Sequence, residues 1–196
     1  MQKRFSQACE NNRLPILTQL KIYLAGKQHL LEIGSGTGQH ASYFAPELPH
    51  LIWQTSDVPE NHPGINAWLA EAHCETLRPP VALCIGQDEW PERLFDAVYS
   101  ANTAHIMQKE EIRLLMQLVA KHLPSGGVFC QYGPFTEQGQ FSSDSNRAFH
   151  QQLIAQGYGG YRDIDELKTW VQGQGLTLKE IINMPANNLM LVWVKV

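Results

Sequence analysis

The sequence is poor in cysteine, in clustered charge and in long apolar runs, and each shortage removes a class of function. Its four cysteines, Cys9, Cys74, Cys84 and Cys130, form no C-x-x-C and pair with no histidine spacing of the zinc type, so they read as reduced, buried thiols. Eight histidines contain no H-E-x-x-H, which leaves a metal without support, and none is expected. The net charge is −4 and no run of lysine or arginine occurs, so the basic footprint that a phosphate backbone requires is missing and nucleic acid is not expected as a partner. No window approaches the ~18 apolar residues of a membrane span, and Lys3 and Arg4 have no apolar core behind them. The expectation is a cytoplasmic protein with no membrane contact. Repeats and linkers are absent too, and 196 residues suit one domain, since domains run roughly 100–200 residues.

What is present is an alternation of strand-like and helix-like segments. Apolar spacing after Asn11-Asn12-Arg13-Leu14-Pro15 gives an N-terminal helix that stops at Gly26, and His29-Leu30-Leu31-Glu32-Ile33 is a short apolar run ended by glycines. Gln39 to Ala45 is helix-compatible until Pro46. Strands are expected at 51–56, 81–85, 95–100 and 128–132, with helices at 65–75 and 109–123. Such alternation implies a parallel sheet covered on both faces. After Pro134 the chain turns polar and glycine-rich over 136–160, with one helical patch at 146–154, and reads as an insertion or lid. A helix at 163–172 then leads to two β-like runs joined at Pro185-Ala186-Asn187, an expected hairpin that ends the sheet with an antiparallel edge strand.

A glycine loop between the first strand and its helix lets a ligand approach the backbone closely, because no Cβ stands in the way. Dinucleotide sites use G-x-G-x-x-G. Here the third glycine comes one residue early, as Gly34-Ser35-Gly36-Thr37-Gly38, with an acid at Glu32. Asp57 closes the second strand 19 residues past Gly38 (57 − 38), where an acid can accept from both ribose hydroxyls of an adenosine. It can equally be a turn residue before Val58-Pro59.

Leu31-Glu32-Ile33-Gly34-Ser35-Gly36-Thr37-Gly38 resembles motif I of the class I S-adenosylmethionine-dependent methyltransferases. Further stretches resemble the methyltransferase-like twenty-six family, a former domain of unknown function. They are Glu10-Asn11-Asn12, Trp53-Gln54-Thr55-Ser56-Asp57, Asn102-Thr103-Ala104-His105, Tyr132-Gly133-Pro134, Ser145-Asn146, Arg162-Asp163 and Met184-Pro185-Ala186-Asn187-Asn188. The resemblance implies an α/β, three-layer Rossmann-like methyltransferase fold, with a mostly parallel seven-strand sheet and a C-terminal antiparallel hairpin. It implies S-adenosyl-L-methionine as cofactor, held by Glu32, Gly34, Ser35, Gly36, Gly38, Asp57 and Asn102. Two positions depart from the family: Asn11 stands where arginine is usual, and Cys84 where an acid usually follows leucine. Asp88 is the candidate to take over the adenine contact.

Because the sulfonium already carries the reactive methyl, alignment of an acceptor is the main task and a base is optional. His105, just after the fourth strand, is the candidate base, since histidine titrates near neutrality; as a capping or core histidine it would have no such role. Tyr132, Asn146, Arg162, Asn187 and Asn188 lie beyond strand ends or in the insertion, where open parallel sheets bind ligands, and are the candidate acceptor residues. Their structural alternatives are turn chemistry for Asn187 and Asn188, a helix start for Asn146, and an ion pair of Arg162 with Asp163 or Asp165. Asn102 precedes no proline, unlike the Asn/Asp-Pro-Pro-aromatic motif of DNA amino methylation, so with the acidic net charge a small-molecule methyl acceptor is expected. Two alternatives stay open: a nicotinamide-dependent oxidoreductase, and an S-adenosylmethionine-binding interaction module without catalysis.

Overall fold

The computed structural model describes residues 3–196. In chain order the elements begin with α1 (Gln7–Tyr23), β1 (His29–Ile33), α2 (Gln39–Glu47), β2 (Ile52–Asp57) and a 3₁₀ turn (Pro59–Asn61). There follow α3 (His62–Ala72), β3 (Leu77–Ala82), β4 (Ala97–Ala101), α4 (Lys109–His122), β5 (Val128–Gly133) and β6 (Phe135–Thr136). The chain closes with α5 (Asp144–Ala155), β7 (Arg162–Asp163), α6 (Ile164–Trp170), β8 (Leu176–Met184) and β9 (Asn188–Lys195). Seven strands form one sheet in the order β3-β2-β1-β4-β5-β9-β8. β9 runs antiparallel to both of its neighbours, while the other pairings are parallel.

Successive residues of a strand face opposite sides, and the central strands bury both. Leu30 packs with Ile16, Leu20, Phe44 and Trp53 under α1 and α2, whereas Leu31 packs with Ile112, Leu115, Met116 and Leu167 under α4 and α6. Three layers result. This two-sided burial explains why the central strands read as unbroken apolar runs instead of alternating ones.

The structure differs from the sequence reading in two element starts and two strand pairings. α1 begins at Gln7, because the Ser6 hydroxyl caps it by accepting from the Cys9 N–H at 3.4 Å, and Pro15 sits inside the helix. Burial of Asn12, Ile16, Leu17 and Leu20 along one face outweighs the hydrogen bond that a proline forfeits. β3 starts at Leu77 and includes Pro79 and Pro80, which a sheet tolerates at its edge, where one side of the strand needs no donors. The antiparallel strand is β9, one place in from the edge; the edge itself is β8, parallel to the rest. Within the polar insertion, β6 pairs with β7 in a separate two-stranded parallel sheet, a long-range pairing with no local pattern. Among the described residues no helix is long and apolar enough to cross a membrane.

Trp193 shows that the C-terminal hairpin is part of the core. It is fully buried on β9 with its indole N–H donating to Gln131 Oε1 at 3.2 Å. Trp193→Ala is expected to cost about 3–5 kcal/mol in urea unfolding; a loss below about 1 kcal/mol would mean that the hairpin is an appendage.

Candidate active site

In an open α/β sheet the ligand crevice lies outside the carboxyl ends of the strands, where the connections leave toward opposite faces. Here β1 is followed by α2 on one face and β4 by α4 on the other. A cavity of about 1060 Å³ runs along that edge, from Asp57 and the glycine turn past Asn102 and Tyr132 to His105, Asn146, Phe149 and Tyr161.

The turn after β1 is built for close approach. Gly34 and Gly36 both have positive φ, 70° and 59°. A Cβ on Gly34 would overlap the Thr103 methyl group, while one on Gly36 would meet only the Gly34 carbonyl, at 4.0 Å, and otherwise stand in open space. Gly34 therefore serves packing, and Gly36 keeps the cavity floor bare. Across the turn, Asp57 accepts from Gly36 N–H at 2.6 Å on Oδ2, and from Val58 N–H and Asn61 Nδ2 at 2.7 and 2.8 Å on Oδ1.

Glu32 lies behind the turn, fully withdrawn from solvent. Ser35 Oγ and Trp53 Nε1 donate to its Oε2 at 2.8 and 3.0 Å, yet burial outweighs them and lifts the carboxyl to about 7, with the Asp57 charge adding to the rise. Burial drags His40 down to about 4, and its two ring nitrogens meet Asn12 Oδ1 at 2.7 Å and the Tyr99 hydroxyl at 3.3 Å. His105 is also pulled to about 4 by burial; its Nδ1 is enclosed without a partner, which leaves Nε2 as the nitrogen reachable from the cavity. The Tyr132 hydroxyl is raised by burial against the opposing pull of Asn12 and Asn188.

Of the residues expected from sequence, Glu32, Gly34, Ser35, Gly36, Asp57, Asn102, His105, Tyr132, Asn146 and Asn188 meet in this one cavity. Gly38 does not; it caps α2 at φ 87°, and a Cβ there would lie 3.0 Å from Ile65 Cα, so it serves the packing of α2 on α3. Asp88 is outside the wall, its carboxylate spent on the Cys84 N–H at 2.7 Å. Arg162 also lies outside, buried, with its guanidinium donating to the carbonyls of Gly159 and Gly160 and to neither Asp163 nor Asp165. Asn187 is a turn residue at φ 55° whose carbonyl and amide hold α5.

Sequence reasoning missed Asn12, Asn61, Met107, Phe149 and Tyr161 in the wall. The first stood in a quoted motif; the others carry no local signal. All four cysteines are free, only Cys130 is buried, and Cys9 and Cys84 reach the cavity with thiols raised chiefly by burial, which keeps them protonated. Among the described residues no group of three His, Cys, Asp or Glu is placed to hold a metal.

The profile of a family described as "Protein of unknown function (DUF938)" matches residues 3–195. The chain belongs to this family. Solved structures place the DUF938 fold. An O-methyltransferase family 2 protein from Planctomyces limnophilus DSM 3776, in complex with apigenin, superposes with TM-score 0.83 at 20% identity over 96% of this chain and 58% of that one. Human N-acetylserotonin methyltransferase in complex with SAM gives 0.78 at 15% over 96% and 53%, and PigF with SAH gives 0.77 at 15% over 92% and 55%. The chain thus spans little more than half the length of these proteins, and the likeness establishes a mostly parallel Rossmann-like methyltransferase fold with antiparallel C-terminal pairing.

The buried Glu32 makes a prediction of its own. A carboxyl raised in the folded state keeps a proton that the unfolded chain has released, so its contribution is full below the ordinary 4.5 and is lost as pH rises through about 7. Glu32→Gln, which keeps the acceptor for Ser35 and Trp53, is expected to raise Tm more at about pH 8 than at about pH 5. An equal change at both pH values, followed by thermal unfolding, would place Glu32 as an ordinary ionised carboxylate.

Proposed function

We propose that the chain transfers a methyl group from S-adenosyl-L-methionine to a small-molecule acceptor, and that it is a member of the methyltransferase-like twenty-six family whose motifs it carries. The observation that carries this reading is the bare floor over Gly36 beside the Asp57 carboxylate, in one cavity with His105.

The residues present fit that cofactor. Asp57 would take the ribose hydroxyls: three of a carboxylate's roughly four acceptor positions are filled, which leaves one on Oδ2 and a second when the Asn61 side chain swings away. The wall holds no lysine or arginine for a dinucleotide's pyrophosphate. When bound, the cofactor supplies a methyl group already activated on sulfur. What this chain adds is alignment and exclusion of water. With its pKa near 4, His105 is neutral and a weak base, suited to orient an acceptor's hydroxyl by accepting its hydrogen bond at Nε2. β9 also favours methyl transfer over hydride transfer, because a dinucleotide-binding sheet carries a further parallel strand beside its fifth. An inactive binding module would share the cofactor site but turn over no acceptor.

S-adenosylmethionine and S-adenosylhomocysteine, but not NAD, are expected to raise Tm, by about 2.7 kcal/mol of stabilisation at a hundredfold excess over Kd. Asp57→Ala should weaken adenosylhomocysteine by about 1–3 kcal/mol in calorimetry. Stabilisation by NAD alone would sink the reading.

We propose too that residues 1–196 act as one methyltransferase domain in which 136–160 is the lid. This segment carries α5, supplies Asn146 and Phe149 to the cavity, and is tied back to the loop after β4 by Gly160 N–H on the His105 carbonyl at 3.0 Å. Amide exchange across 136–160 is expected to slow when adenosylhomocysteine binds; fast exchange indifferent to it would make the segment a surface loop.

A further inference from the structure

We infer that the acceptor is an uncharged aromatic molecule and that Asn146 selects it by accepting a second hydrogen bond from it, an inference that rests on the methyl-transfer reading above. Three observations converge on it.

The first is charge. The ionisable carboxylates in the wall are Glu32, Asp57 and Glu111, and neither lysine nor arginine lines the cavity among the described residues. Arg162, the one arginine among the candidate acceptor residues, has its donors on the carbonyls of Gly159 and Gly160. An anionic acceptor would leave water without gaining a counterion. A cationic one gains little at the far end, because Glu32 and Asp57 sit by the glycine turn and Glu111 is engaged as the α4 cap, accepting from Gln108 N–H at 2.7 Å.

The second is shape. His105, Phe149 and Tyr161 form a corner of three rings with centroids 6.0, 6.2 and 6.3 Å apart and interplanar angles of 65°, 70° and 54°. Such mutually tilted rings offer edges and faces to a further aromatic ring, and Ile106 and Met107 extend the apolar wall.

The third is the donor count of Asn146. Its Nδ2 lies 3.1 Å from the Asn187 carbonyl, which can only accept, so that atom is the amide nitrogen and the orientation of the side chain is fixed. The second N–H goes to Ser142 Oγ at 2.9 Å. Both hydrogens are therefore spent, and no donor among the described residues reaches Oδ1. Asn146 can only accept, and an acceptor molecule with a second hydroxyl or N–H satisfies it where a carboxylate would face oxygen with oxygen.

The test uses the full chain saturated with adenosylhomocysteine and three probes on one ring: 2,6-dihydroxynaphthalene, 2-naphthol and 6-hydroxy-2-naphthoate. Calorimetry is expected to rank them in that order, with the naphthoate at least about tenfold weaker than the diol. Asn146→Lys, with adenosylhomocysteine affinity as the check on folding, is expected to abolish that ratio by giving the carboxylate a partner. Naphthoate binding as tight as the diol, an unchanged ratio in Asn146→Lys, or binding of none of the probes would overturn the inference. If adenosylhomocysteine does not bind but the chain alone still ranks the probes in the expected order, the methyl-transfer reading fails and the acceptor-class inference stands.

Discussion

The site depends on a small hydrogen-bond lock between the carboxyl ends of β1 and β2. Ser35 N–H donates to the Ser56 carbonyl at 2.9 Å, Ser56 N–H returns a bond to Ser35 Oγ at 3.2 Å, and Ser56 Oγ donates to the Glu32 carbonyl at 2.6 Å. These bonds fix the glycine turn to the end of the neighbouring strand, and so place Gly36 and Asp57 against each other. Ser35 Oγ also donates to Glu32, so one side chain couples the turn geometry to the buried acid. Removing it would loosen the turn and leave Glu32 and the Ser56 amide each short of a partner at once, a cost that low-dielectric surroundings enlarge.

Two clamps complete the cavity from opposite sides, and they differ in chemistry. On the α1 side Gln39 accepts from Ser6 N–H at 2.5 Å and donates to the Ser6 carbonyl and to Glu10, while Asn12 meets His40. This clamp is polar and reaches into the core through the rings of His40, Phe44, Trp53 and Tyr99. On the α5 side the contacts run through Asn146, Asn187 and Ser143, and the surface between is aromatic. One end of the cavity is therefore polar and the other aromatic.

The part of this arrangement that could be read from the sequence is the part carried by spacing along the chain. The run from His29 through Gly38 to Asp57 is legible because strand, turn and helix follow one another without a gap, and each residue's role is set by its neighbours. Pro15 within α1 and Pro79-Pro80 within β3 mislead a local reading, because burial in the first case and an edge position in the second decide the outcome. Arg162 misleads for a related reason. A guanidinium before an acidic pair reads as an ion pair, but β7 is pinned to β6 from 27 residues away (162 − 135), and the partners that fold supplies are backbone carbonyls. Phe149 and Tyr161 are unreadable in the same sense, since only the return of the insertion over the sheet edge brings them to His105.

The two prolines of β3 have a consequence outside the cavity. A sheet with exposed edges can recruit a foreign strand at either one, and proline defeats recruitment by withholding donors. β3 is guarded in this way over Pro79 and Pro80, whereas β8, at the opposite edge, carries no proline and relies on its irregularity between Leu178 and Glu180 and on the charges of Lys179 and Glu180. The two edges of the sheet are therefore unequal: β3 withholds donors at two adjacent positions, whereas β8 is kept from offering a regular ladder only by its bulge and its charges.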